Sequence, residues 1–141
     1  MCGIFGCVAL FGEKSNKNTI TKAVNSLSHR GPDDFGIEWL ENVMLGHRRL
    51  SIIDLNTKAA KQPVISPNSL LAYNGMIYNF KELKNILSRN NIFKGNSDTE
   101  VLAKCLDQWG LSKTLKNIDG MFAFAWFCKK KREIYLVRDP M

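Results

Sequence analysis

The chain has no apolar run long enough to cross a bilayer, where a helix needs about 20 residues. The candidate nearest the start, Ile4 to Phe11, is short, contains Gly6 and follows no basic segment, so it is not a secretory signal. No two of the four cysteines, Cys2, Cys7, Cys105 and Cys128, are spaced C-x-x-C. Cys7, Cys105 and Cys128 lie in apolar segments and read as small buried residues in a reducing compartment, not as a disulfide frame. His29 and His47 are the only histidines, and they share no recognised ligand spacing with the cysteines, so no metal site is expected. There is no internal repeat and no low-complexity tract. The expected compartment is the cytoplasm, without a membrane partner.

The composition is that of a globular domain, with 45% hydrophobic and 23% charged residues in 141. That length suits one domain with a core of useful size. A net charge of +7 permits acidic partners, but the lysines are scattered. The exception, Lys129 to Arg132, lies between two apolar runs and reads as a solvated hairpin turn. With no basic helix and no RNA-binding signature, no nucleic-acid partner is expected.

Apolar spacing and turn residues divide the chain as follows. Ile4 to Phe11 reads as a buried strand. Thr19 to His29 places Ile20, Ala23, Val24 and Leu27 on one helical face. HRGPDDFG, residues 29 to 36, reads as a loop. Val43 to Leu45 and Leu50 to Ile53 read as short strands around the polar GHRR. Leu70 to Tyr73 is a further strand, and Asn74-Gly75 signals a turn. Phe80 to Ser88 is helical, and Ser97 to Glu100 matches a capping box opening a helix through Trp109, with Gly110 placed to end it. Met121 to Cys128, apolar on both faces, and Glu133 to Val137 complete the order as strands. This pattern predicts a layered α/β domain.

The feature with most chemical content is Cys2, directly behind the initiator in MCGIFG. Removal of Met1 leaves one residue carrying both a thiol and a free α-amine. The thiolate is the nucleophile in cysteine chemistry. An α-amine, with an ordinary pKa of about 7.7–8.0, serves as a base near neutrality. Other polar clusters stand at the ends of apolar runs: Arg48 and Arg49 before LSIID, Asn74 and Gly75 after LLAY, and Asp98 at a helix start. Taken singly, each has a structural explanation: a surface charge, a hairpin, a first-turn acid favoured by the helix dipole.

In order and spacing, MCGIFG, HRGPDDFG, GHRRLSIID, YNGMIYN, NSDTEV, DGMFAFAWF and LVRDP resemble the glutaminase domain of asparagine synthetases, a class II glutamine amidotransferase. The resemblance runs from residue 2 to 140, and the Pro-Asp after His-Arg-Gly points to that branch. It implies an N-terminal-nucleophile hydrolase fold, a layered αββα sandwich. Cys2 matches the nucleophile, and Asn74 and Gly75 match the oxyanion hole. Arg49 matches the clamp on the glutamine α-carboxylate, Asp98 a partner of its α-ammonium, and Leu50, Ser51, Ile52 and Ile53 the backbone lining the pocket.

Two departures from the family pattern stand out. Met76 replaces the family's usual glutamate, a second carboxylate at the α-ammonium. Residues 2 to 141 are also expected to be a C-terminally incomplete amidotransferase domain. In the family more strands follow, and then a synthetase domain that uses ATP and Mg²⁺ to activate aspartate. None of that half is present, and no cofactor is expected in this domain. Glutamine and a synthetase domain are the implied partners, and the sequence does not define an oligomer. Three functions follow: the glutamine-hydrolysing half of an asparagine-synthetase-like enzyme; an amidotransferase serving another carboxylate acceptor, for example on a surface polysaccharide; or an inactive remnant or assembly module.

Overall fold

The computed structural model describes residues 2–10, 16–50 and 61–140. In chain order the elements are β1 (Gly3–Val8), α1 (Lys17–Asn25), β2 (Asp34–Leu40), β3 (Val43–Arg49), β4 (Val64–Ile65), β5 (Ser69–Ile77), α2 (Phe80–Leu87), α3 (Asp98–Asn117), β6 (Gly120–Cys128) and β7 (Glu133–Arg138). They form two antiparallel sheets, ordered β1-β3-β2 and β4-β5-β6-β7.

Side-chain alternation sorts the layers. On β3, Met44 joins Ile20 and Val24 of α1 in a small cluster, while Leu45 points the other way and packs with Leu70, Ala72, Ala125 and Phe127 of the second sheet. On β5, Leu71, Tyr73 and Ile77 pack against Leu83, Leu87, Val101, Leu102 and Leu106 of α2 and α3. The order is therefore helix, sheet, sheet, helix. β6 is apolar on both faces because both are covered: Phe124 and Trp126 meet the helices, and Ala125 and Phe127 meet the first sheet.

Several expectations need correction. Asn74-Gly75 is not a turn. β5 runs straight through it, pairing Asn74 with Ala123 and Gly75 with Phe122. Glycine is required there by close approach, since a Cβ on Gly75 would lie 2.2 Å from the Met121 carbonyl oxygen. GHRR is not a gap between strands but lies inside β3. The 29–36 loop ends early, because Asp34 already opens β2, a strand the sequence reading lacks. As the outer strand of its sheet, β2 leaves Phe35 half exposed and shows no clean alternation. The expected strand Leu50 to Ile53 falls mostly on residues 51 to 60, outside the described residues, and Leu50 itself is not in a strand.

Gly110 breaks α3 as expected, at φ 74, but the helix resumes to Asn117. Half of the capping box forms: Ser97 Oγ accepts the Thr99 N–H at 3.1 Å. Glu100 instead accepts the N–H groups of Lys94 and Gly95, at 2.9 and 3.0 Å, and so braces the loop that leads into the helix. Lys129 to Arg132 forms the β6–β7 turn. Leu136 of β7 is 81% exposed on the edge of its sheet, in keeping with the expected incompleteness. No helix of the described residues is long and apolar enough to cross a membrane.

One buried polar contact joins the two sheets. His47 is 1% exposed and donates Nε2–H to the Tyr73 carbonyl oxygen at 3.0 Å. Burial lowers its pKa to about 4; the nearby Arg49 charge pushes the same way, and the Tyr73 contact and Asp34 push back. Against an unfolded value near 6.5, the unfolded chain binds more protons between about pH 4 and 6.5. Stability should therefore fall as pH drops through that window, by about 2–3 kcal/mol. Urea unfolding at pH 7 and pH 4.5 should show this loss, and His47→Gln should remove much of it. An equal loss in the variant would assign the effect elsewhere.

Candidate active site

Cys2, Arg49, Leu50, Asn74, Gly75, Met76 and Asp98 meet at one cavity of about 620 Å³, which Gln62, Tyr73, Ser97, Thr99, Met121, Phe122, Ala123, Arg138 and Asp139 also line. Ser51, Ile52 and Ile53 lie outside the described residues. The layering explains the meeting. Cys2 immediately precedes β1, whose Gly3 pairs with Arg48 near the end of β3. Arg49 and Leu50 follow directly, so the start of β1 and the end of β3 share one edge of the first sheet. Asn74 and Met76 share the parity of Leu70 and Ala72 on β5 and face that edge across the sandwich.

The distances around Cys2 are short. Cys2 N donates to Asn74 Oδ1 at 3.0 Å. The Leu50 N–H points at Cys2 Sγ over 3.4 Å, and the thiol lies 3.8 Å from the Leu50 carbonyl oxygen. Arg30 Nε donates to the Cys2 carbonyl oxygen at 3.1 Å. The thiol-bearing residue is thus held through its nitrogen, sulfur and carbonyl. Because Asn74 Oδ1 takes the Cys2 nitrogen, the amide's donor end, Nδ2, is the end left to meet a developing negative charge.

Asp98 is 6% exposed, the first residue of α3. Its Oδ2 accepts two hydrogen bonds from β5, the Tyr73 phenol at 2.7 Å and the Ile77 N–H at 3.1 Å. Burial, together with the Asp98 charge, pushes the Tyr73 phenol well above its ordinary range, so it remains a donor. Arg49, half-buried, ends β3 on the cavity wall. At the far side Asp139 Oδ2 accepts the Phe122 N–H at 2.8 Å and Arg138 Nε donates to the Asp139 carbonyl oxygen at 3.2 Å, pinning the end of β7 to β6. Met76 faces its register partner Met121, forming an apolar stretch of wall.

Sequence reasoning passed over Arg30, Gln62 and Tyr73 as site residues. Arg30 stood in a quoted motif, yet only the fold brings its guanidinium to Cys2. Gln62 Oε1 accepts the Tyr73 N–H at 2.7 Å, prolonging the β4–β5 ladder with a side chain. No local signal marks that role. Among the described residues, no group of three or more His, Cys, Asp or Glu is placed to hold a metal ion.

A guanidinium and a buried carboxylate on one cavity suit an α-amino acid, with its paired opposite charges. A thiol beside an amide donor suits attack on a carbonyl. A solved structure carries the same architecture: the glutamine phosphoribosylpyrophosphate amidotransferase of B. subtilis, complexed with ADP and GMP, superposes with a TM-score of 0.70 over 97% of this chain and 37% of that one, at 22% identity. The fold is the N-terminal-nucleophile hydrolase sandwich. The glutamine amidotransferase domain family matches residues 1–141, and the chain belongs to it. Similar curated relatives are the glutamine-hydrolysing asparagine synthetase 2 of Bacillus subtilis, 38% identical over 99% of this chain, and asparagine synthetase B of Escherichia coli, 37% identical over all of it. The chain spans only 19% and 26% of their respective lengths.

Proposed function

We propose that the protein releases ammonia from glutamine through a Cys2 thioester, and that this ammonia serves an ATP- and Mg²⁺-dependent amidation of aspartate by a synthetase half. The observation that carries the first part is the contact between the Cys2 nitrogen and Asn74 Oδ1, with the thiol and the amide on one cavity.

With Met1 removed, the α-amine of Cys2 takes the thiol proton as Sγ attacks the side-chain amide carbon of glutamine. The carbonyl becomes an oxyanion, met by Asn74 Nδ2 and the Gly75 N–H. Collapse breaks the C–N bond, the proton passes to the departing nitrogen, and ammonia leaves. Water then attacks the thioester, restoring the thiol and yielding glutamate. Arg49 holds the α-carboxylate of glutamine, and Asp98 its α-ammonium. Arg30 keeps the Cys2 backbone fixed throughout.

Coupled assay of ammonia and glutamate, with intact-mass measurement, tests this directly. The active protein should lack Met1, and a glutamine analogue bearing a diazoketone in place of the amide should add once, on the Cys2 peptide. An active preparation that retains Met1 would rule out the α-amine as base. Labelling on another cysteine would rule out Cys2 as nucleophile.

Met76 bears on affinity. The resemblance expects glutamate there, and the structure puts Met76 on the cavity wall. Met76→Glu should supply a second carboxylate for the α-ammonium. One such charged hydrogen bond is worth about 1.5–3 kcal/mol, so KM for glutamine should fall about tenfold or more. Turnover should change little, because the ammonium is bound alike in ground and transition states. Steady-state kinetics of the two proteins side by side would decide. A raised KM would show that this wall does not face the α-ammonium.

A further inference from the structure

Tyr73 makes three buried connections that the chemistry above does not use. Its carbonyl oxygen accepts from His47 of the first sheet at 3.0 Å, its N–H donates to Gln62 at 2.7 Å, and its phenol donates to Asp98 at 2.7 Å. The ring is only 2% exposed. The connections are directional. Both donors that reach Asp98, the Tyr73 phenol and the Ile77 N–H, land on the same oxygen, Oδ2, and both come from β5. A carboxylate gripped at one oxygen can rotate little, and its second oxygen keeps its acceptor capacity. Asp98 nonetheless lines the cavity with Asn74 and Gly75, which belong to the same strand as its two donors. β5 thus carries the residues proposed to meet the reacting amide and also sets the angle of the carboxylate proposed to meet the far end of the substrate.

We propose that Tyr73 is a positioning residue: by holding Asp98 Oδ2 it presents the other oxygen of Asp98 to the α-ammonium of glutamine, and so selects amides that carry that ammonium without touching the reacting atoms. This rests on the glutaminase reading, in which Asp98 binds the ammonium. A phenol that served only the core would stabilise the fold and show no preference among substrates.

The test compares glutamine with glutaramate, the same amide with hydrogen in place of the α-ammonium. Tyr73→Phe removes one hydroxyl and keeps the ring. KM for glutamine should rise about tenfold, the effect of one hydrogen bond to a charged group, with kcat within about twofold. For glutaramate, kcat/KM should stay within about twofold, because Asp98 has nothing there to bind. In an Asp98→Asn background, Tyr73→Phe should add nothing further, since a residue that acts through a partner has no effect once the partner is gone. Asp98→Glu provides a second arm that leaves Tyr73 intact. It keeps the charge but displaces it, and it should also raise KM for glutamine about tenfold while sparing glutaramate.

Equal losses on both substrates, or an Asp98→Glu protein that binds glutamine like the wild type, would overturn the positioning role and leave the glutaminase reading standing. A wild-type protein that releases no ammonia from glutamine would overturn both.

Discussion

Cys2→Ala should lower ammonia release from glutamine by about 10⁴-fold or more, the scale on which loss of a nucleophile acts when several groups work as one unit. No other thiol can substitute. Cys105 is fully buried in the α3 core, and burial pushes its thiol up to about 12. Cys7 packs in the cluster under α1. Cys128 ends β6, paired with Ser69 and Glu133 at the opposite end of that strand from Phe122 on the cavity wall. The fold should tolerate the change. Cys2 Sγ makes only the 3.4 and 3.8 Å contacts with the Leu50 backbone, so the melting temperature should move by no more than a few degrees. Cys2→Ser would keep the shape and exchange the thiol for a weaker nucleophile, and it should be nearly as inactive. Ammonia release at the wild-type rate from Cys2→Ala, with the fold intact, would refute the thioester route.

The element order was legible in the chain because apolar spacing and turn chemistry agree over most of it. They part at Asn74-Gly75. There the local signal says turn, but the determining fact is the backbone of β6 lying too close to Gly75 for any side chain. A dipeptide carries no information about a strand that pairs with it some 45 residues later. His47 is similar. A histidine in GHRR reads as polar surface, yet it is buried because its Nε2–H meets the Tyr73 carbonyl 26 residues away. β2 escaped notice because an outer strand need not alternate.

The site divides the same way. Cys2, Arg49, Asn74, Gly75 and Asp98 were legible through motifs at the ends of apolar runs, and the fold brings them to one cavity. The residues that aim them were not. Arg30 reaches Cys2 across 28 positions, Gln62 reaches Tyr73 across 11, and Tyr73 reaches Asp98 across 25. Their identities are ordinary and their work is relational, so it appears only when the sheets stack. Met76 is the converse: a departure visible in the sequence whose place on the wall, opposite Met121, turns it into a question about affinity.

Asn74→Ala should reduce turnover about 10²–10³-fold, the usual loss when one oxyanion donor is removed, and leave KM for glutamine within about threefold. The structure gives Asn74 two tasks, since the amide that offers Nδ2 to the oxyanion also accepts the Cys2 nitrogen through Oδ1 at 3.0 Å. Asn74→Asp separates them. The carboxylate restores an acceptor for the Cys2 nitrogen, but it supplies no donor. It also places negative charge where the oxyanion must form, and it favours the protonated amine over the free base. If the oxyanion is the dominant task, Asn74→Asp should be no more active than Asn74→Ala, despite the restored contact. If the dominant task is to hold the Cys2 nitrogen, Asn74→Asp should recover turnover above the alanine variant. Recovery of tenfold or more would remove Asn74 from the oxyanion hole and leave the Gly75 N–H as its proposed donor. Turnover measured at saturating glutamine in the three proteins, with KM determined in each, is enough to decide between the two tasks.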